Sequence, residues 1–324
     1  MSPWNTTVSE FVLSSLSSDP SLQLPVFLLC LLVYLVTLLG NFLMILLILV
    51  TPGLQLPMYI FLMNLSLIDI LYSSAITPNA MIIMFSVRKT ISIIGCATQM
   101  FLFIDGASSE AMLLAVMAYD RYVAICKPLY YGRLINKVSC FQFIFSVHTI
   151  GFINSLIHTC CAFTLPFCKS NKVNHFFCDW NPILKLSCKD IFLNQVLAYV
   201  VAGSIEVGSF ICIMISYFCI LRAVSRISSK SRSKFLSTCA SHFTCVAVFY
   251  CPVFFMYLIP VSEHSGDQDW VDSVFYTIII PMLNPIIYSL RNQDVKQALN
   301  KWISTNILLS SNLHSRHKCA PRSV

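Results

Sequence analysis

Four carboxylates stand inside long apolar stretches of the chain: Asp69, Asp105, Glu110 and Glu206. A charge at bilayer depth costs a few kcal/mol on insertion scales, so such groups mark function or a dedicated partner. Asp69 lies about 18 Å along its stretch and Glu110 about 16 Å outward of Arg121, at 1.5 Å per helical residue. The two therefore share a depth. Phe103, Ala107, Glu110, Leu114, Met117 and Arg121 follow alternating four- and three-residue steps, which places them on one helix face. Two carboxylates at one depth repel unless a cation or a proton lies between them. Asp69 and Glu110 are thus a candidate sodium pair, with Ser66 or Asn284 nearby; the alternative is that each is protonated and hydrogen-bonded structurally. Asp105 is off the Phe103 row and reads as a helix–helix hydrogen-bonding group. Glu206 is alone in its stretch, either a pocket acid or a protonated structural group, and the second reading is preferred.

Asp120-Arg121-Tyr122 falls where the third stretch ends. An Arg there can pair with Asp120 or reach inward, and a partner protein can tip the choice, so the tripeptide is a candidate switch. Four cysteines, Cys96, Cys168, Cys178 and Cys188, fall in segments assigned below to the outer side. An even number in an oxidising compartment suggests two disulfides, with three connectivities open. A Cys96–Cys178 bond would draw the middle of the long loop over the bundle mouth, and Cys168–Cys188 would pinch the loop's ends. The other eleven of the 15 Cys read as small apolar fillers. His175, Cys178 and Asp179 are soft-metal ligand types at close spacing, but a disulfide-bonded Cys offers no thiolate.

Seven elements must position these groups. The chain is 57% apolar and 11% charged, with a mean hydropathy of +0.75. Soluble domains carry roughly 25% charge, so too little polar surface remains for a water-soluble globule. A secreted disulfide scaffold is excluded because the cysteines are sparse. Disorder and nucleic-acid binding are excluded by 13% aromatics and a +7 charge spread along the chain. About 20 apolar residues cross the hydrocarbon core. Seven stretches do so, as spans of about 24–50, 58–85, 92–126, 138–165, 191–222, 235–261 and 270–290. Residues 1–23 are expected to form an extracellular N-terminus and 291–324 a cytoplasmic tail. Asp294 to Trp302 is expected to form a short amphipathic helix on the inner leaflet. No secretory leader is evident in the first 23 residues, so the first span is expected to serve as the insertion signal.

Lys and Arg orient the bundle. With the N-terminus outside, 15 of the 21 basic residues fall on the cytoplasmic side, while Glu10, Asp19, Glu263, Asp267 and Asp269 fall outside. Asn5-Thr6-Thr7 then presents Asn5 outside as a glycosylation acceptor. No internal repeat and no pair of broken helices in matching halves is visible, which argues against a channel or transporter. No nucleophile–base pair or metal cluster stands out, which argues against an enzyme.

Longer motifs narrow the class. Met117-Ala118-Tyr119-Asp120-Arg121-Tyr122-Val123-Ala124-Ile125-Cys126-Lys127-Pro128-Leu129 resembles the signature of odorant receptors, a branch of the rhodopsin-like G-protein-coupled receptors. So do Pro281-Met282-Leu283-Asn284-Pro285-Ile286-Ile287-Tyr288-Ser289-Leu290-Arg291-Asn292 on span seven and Ser237-Thr238-Cys239-Ala240-Ser241-His242 on span six. Pro57-Met58-Tyr59, Gly40-Asn41, Ser216-Tyr217 and the three-Cys loop also match, and the resemblance runs from about Glu10 to Trp302. Three places depart from the family pattern: Leu54-Gln55-Leu56, Phe235-Leu236 and Cys251. The Ser-Thr-Cys form resembles the land-vertebrate class, which mostly reads volatile, apolar molecules.

The resemblance implies a rhodopsin-like seven-transmembrane bundle in the plasma membrane. It implies a Cys96–Cys178 bond, a sodium pair at Asp69 and Glu110, and rearrangement of Arg121, Tyr217 and Tyr288 on activation, with Asp120, Tyr122, Asn284 and Pro285 in the same switch motifs. It puts the odorant between spans three, five and six. Wall candidates are Phe103, Ile104, Ala107 and Ser108 on span three, Val201, Ala202 and Ile205 on span five, and Phe254 and Tyr257 on span six. Ser108 and Tyr257 would be the polar handles of a mostly apolar pocket. Amine receptors of this architecture would place an Asp at the Phe103 position. The implied partner is a stimulatory, olfactory-type heterotrimeric G protein that raises cyclic AMP, met by the basic rim from Arg222 to Lys234. Pro252 gives span six a weak point about which to swing. The rival reading is a rhodopsin-like receptor for another small lipophilic ligand, used outside the nose.

Overall fold

The computed structural model describes residues 9–17, 19–168, 170–226, 239–240, 242–252 and 273–304. Its helices are α1 (Pro20–Val50), α2 (Pro57–Phe85), α3 (Ile93–Cys126), α4 (Lys137–Phe163) and α5 (Phe192–Val224). α6 (His242–Pro252) follows, then a π-helical turn at Phe275–Ile279 running into α7 (Ile280–Arg291). A last helix, α8, spans residues 293–304. By length and composition, α1 to α5 are each able to cross a membrane, and α6 and α7 are shorter apolar helices.

The helix starts follow from local chemistry. Asp19 caps α1 by accepting from the Ser21 N–H (2.9 Å) and hydroxyl (2.8 Å), and Pro20 takes the first turn, where no donor is needed. The cap starts α1 four residues before the apolar run, so the last part of the expected N-terminal tail is helical. Those same bonds, the backbone one first, hold the exposed Asp19 carboxyl below its ordinary value. Ser92 caps α3 and Asn136 caps α4. Past the last turn of α7, Asn292 accepts from the backbone of Asp294 at 3.0 Å and starts α8. On α8, Val295 is buried, Ala298 and Leu299 pack against the bundle, and Trp302 and Ile303 are exposed. The stripe is the one an interfacial helix needs.

The bundle is inverted relative to a soluble protein. Leu28, Leu32 and Leu39 of α1 and Val207, Ile211 and Ile215 of α5 face outward, whereas Asn41, Asp69, Thr77, Glu110 and Asn284 are buried. Lipid makes no demand for polar groups, so these collect where other helices satisfy them. α3 lies centrally, packed against α2, α4 and α5. At Gly106 it meets α2 so closely that a Cβ would lie 2.8 Å from the Cβ of Tyr72.

Outside the helices, β1 (Glu10–Leu13), β2 (Thr90–Ser92) and β3 (Lys172–Val173) form a sheet of order β2-β1-β3. β1 pairs antiparallel with β2 (Phe11 opposite Ile91) and parallel with β3 (Leu13 opposite Val173). The expected extracellular tail therefore contributes the middle strand. Its alternate residues Phe11 and Leu13 are buried, with the Phe11 ring 5.2 Å from that of Phe167.

Candidate functional site

The outer end of α3 is tied to the long loop. Cys96 and Cys178 form a disulfide with Cα atoms 5.4 Å apart, and Cys168 with Cys188 forms a second at 5.8 Å. Gln99, one turn below Cys96, accepts from the Cys178 N–H (2.9 Å) and donates to the Ala75 carbonyl (2.9 Å). One side chain thus joins the loop, α3 and α2. His175 Nε2 lies 2.9 Å from the Ser273 hydroxyl, itself 2.9 Å from Tyr276 Oη. Cys178 is held in its disulfide and offers no thiolate, and no group of three or more His, Cys, Asp or Glu suited to a metal occurs among the described residues.

Beneath this lid, the Phe103 ring meets Phe177 of the loop at 5.2 Å, Tyr276 at 5.6 Å and Tyr72 of α2 at 6.4 Å. Ile104 packs with the outer cluster that holds Cys96 and Cys178, and Ala107 is half-buried. Val201, Ala202 and Ile205 are half-buried on α5. Phe254, Tyr257 and Asn5 lie outside the described residues, as do Ser237, Thr238 and Ser241. The Ser108 hydroxyl accepts from Asn154 Nδ2 at 2.8 Å, which ties α3 to α4 at this position. One residue after Ala107 turns a helical side chain by about 100°, enough to leave the Phe103 face. The same turn explains Asp105: its Oδ1 is buried without a hydrogen-bond partner among the described residues, and Ser108 makes the α3–α4 bond expected of it.

Midway down, Asn284 of α7 donates to both oxygens of Asp69 (3.1 Å each) and to Glu110 Oε1 (2.9 Å). α2, α3 and α7 are joined through one carboxamide, while Glu110 Oε2 is buried with no partner among the described residues. Ser66 is buried but bonds to neither carboxylate among the described residues.

At the inner end, Asp120 accepts from Tyr131 Oη at 2.9 Å, and no ion pair joins it to Arg121 among the described residues. Burial, then the Asp120 charge, pushes the Tyr131 phenol above its ordinary range. Arg121 is half-buried, and its charge is felt by Tyr217, His242 and Tyr288. His242 Nε2 lies 3.1 Å from the Leu114 carbonyl, which can only accept, so Nε2 carries the proton. Nδ1 is then the acceptor for Tyr217 Oη at 2.6 Å. A neutral imidazole thereby ties α3, α5 and α6 together. Tyr122 lies 5.7 Å below the Lys127 ammonium, Pro285 packs on Gly40, and Tyr288 is buried. Reading the chain alone missed the roles of Gln99, Tyr131, Asn154 and His242. Each is an ordinary polar residue whose partner lies on a different element.

A loop pinned to a central helix, an aromatic cluster beneath it, a buried carboxylate pair and a polar tie at the far end are what a multi-pass membrane receptor of the rhodopsin-like, G-protein-coupled class requires. The family model described as olfactory receptor matches residues 29–306. Olfactory receptor-like protein COR4 of Gallus gallus is 48% identical, covering 93% of this chain and 97% of its own. Olfactory receptor 5G9 of Mus musculus and olfactory receptor 5B12 of Homo sapiens are each 47% identical, covering 92% of this chain and 96% of their own. The chain belongs to the olfactory receptor family: it is an odorant receptor, not an enzyme.

Proposed function

We propose that this receptor takes small, mostly apolar volatile molecules between α3, α5 and α6, and answers by activating a stimulatory, olfactory-type G protein that raises cyclic AMP. In this reading it sits in the plasma membrane with its N-terminus outside, Asn5 glycosylated and its tail in the cytoplasm. The observation that carries the proposal is the make-up of α3. One unbroken helix bears the lid disulfide at Cys96, the aromatic wall at Phe103, the buried Glu110 and the inner Asp120-Arg121 pair. Cys96 and Arg121 are 25 residues apart, about 38 Å of helix.

A guest against Phe103 gains about 25 cal/mol for each Å² of apolar surface removed from water. It shifts a population only by binding one arrangement of the bundle better than the other. The arrangement it favours is one in which α6 has swung outward from α3. That motion must part His242 from the Leu114 carbonyl and from Tyr217. Arg121, now released, leaves an inner cleft beside the exposed Leu129 and Tyr130 for the G protein. The donor set at Asp69 and Glu110 fits a sodium ion, because Glu110 Oε2 is an oxygen without a partner among the described residues. Bound there, sodium would supply the positive charge that two neighbouring carboxylates otherwise lack.

The test is cyclic AMP in cells expressing wild type or Arg121→Ala at matched surface levels, screened against a chemically broad volatile panel. Wild type should respond to some members and the variant to none. Equal responses would remove Arg121 from the switch, and ion currents without a G protein would overturn the proposal.

A further inference from the structure

We propose that Glu206 on α5 is the polar anchor of the odorant pocket, and that it selects guests whose head group donates a hydrogen bond, a hydroxyl or an amine on an apolar body. This rests on the reading of α3, α5 and α6 as the odorant site and adds the chemistry that the site prefers. Glu206 lies four residues inward of Ala202, so it continues the Ala202 face of α5 downward by one turn. Its Oε2 is buried and has no hydrogen-bond partner among the described residues. Tyr250 of α6 reaches its main-chain carbonyl at 3.4 Å, which brings α6 against α5 at this level.

Glu110 adds an independent observation. It is 1% exposed, and it too leaves an oxygen, Oε2, unpartnered. Glu206 Oε2 and Glu110 Oε2 are therefore two buried acceptors that no donor among the described residues meets. A buried acceptor left unmade is costly, and a guest that supplies the missing N–H or O–H recovers that cost. A carboxyl oxygen can accept whether or not the group carries its proton. Ketones, aldehydes and esters bring only acceptors, so they cannot meet Glu206 Oε2 as a lone acceptor and bind the carboxyl only where it carries its proton. Above the acid, Phe103, Ala107 and Ala202 supply half-buried apolar side chains for the body of the guest. On α3, Phe103 occupies the position from which an acid would hold an ammonium group in an amine receptor, so this anchor stands on the facing wall instead.

The experiment screens the full-length receptor with quartets of one apolar skeleton each, bearing a hydroxyl, an amine, a ketone or a methyl ester. The readout is cyclic AMP normalised to surface level. In wild type, the hydroxyl or amine member of an active quartet should be ~10-fold or more as potent as its ketone and ester. Glu206→Leu should abolish that preference while leaving weak responses to the ketone. Glu206→Gln, which keeps an acceptor oxygen and the side-chain shape, should retain the preference for the hydroxyl and amine members. Ketones and esters matching the donors in wild type, or equal losses for every head group in both variants, overturn the anchor and leave the receptor reading standing. Silence across all quartets from receptor present at the surface counts against the receptor reading itself.

Discussion

At the scale of single residues, polar side chains do the joining. His242 ties three helices through its two ring nitrogens, one donating and one accepting. His242→Phe keeps the ring and removes both bonds. At ~1 kcal/mol net for each, the outward position of α6 should gain ~5- to 30-fold in population. The expected result is basal cyclic AMP above wild type at equal surface expression; an unchanged basal level would show that the tie does not hold α6. Glu110 and Arg121 could be read from the chain because both lie on one helix, where three- and four-residue steps reveal a shared face. His242 could not, since Tyr217 lies 25 residues earlier on another helix and Leu114 farther still. The Ser108 bond to Asn154 was hidden for the same reason. The helix face of Ser108 was legible, whereas the Asn154 that claims its hydroxyl arrives only when α4 docks.

At the scale of elements, α3 needs a close approach to α2 and a fixed upper end. A Cβ at Gly106 would lie 2.8 Å from the Tyr72 Cβ, so both helices would have to shift. Gly106→Val should therefore lose ~1–3 kcal/mol of stability, read as a lower melting temperature in detergent and reduced surface staining. Melting and staining equal to wild type would mean that the α2–α3 contact yields easily. At the upper end, Gln99 holds the Cys178 backbone on one side and Ala75 on the other. Gln99→Leu keeps the disulfide but frees the loop, and orphans the Cys178 N–H at a cost of ~1–3 kcal/mol. Hydrogen exchange at residues 172–184 should speed up, and unchanged exchange would mean that the disulfide alone fixes the lid. The long helices were legible from apolar run length and from caps such as Asp19 and Ser92. The sheet was not. Four residues of β1 carry only two buried alternating positions, and their partners lie near residues 91 and 172.

At the scale of the whole molecule, the proposed function puts recognition and response at opposite ends of one rod, α3. The outer third is stiffened by two disulfides, a three-stranded sheet and the Phe103 aromatic cluster. The inner third is held by hydrogen bonds that can exchange partners, Asp120 with Tyr131 and His242 with Tyr217. Between them, Asn284 bridges Asp69 and Glu110, so any sliding of α7 against α2 and α3 alters how that charge is satisfied. Such an arrangement converts a small difference in packing near the lid into a choice between two inner geometries. The most direct measurement is nucleotide exchange on a purified stimulatory heterotrimer by receptor in lipid nanodiscs, with and without an odorant found active in cells. Wild type should accelerate exchange when the odorant is added, and Arg121→Ala should bind the same odorant without acceleration. Odorant binding to the wild type with no change in exchange would contradict the account.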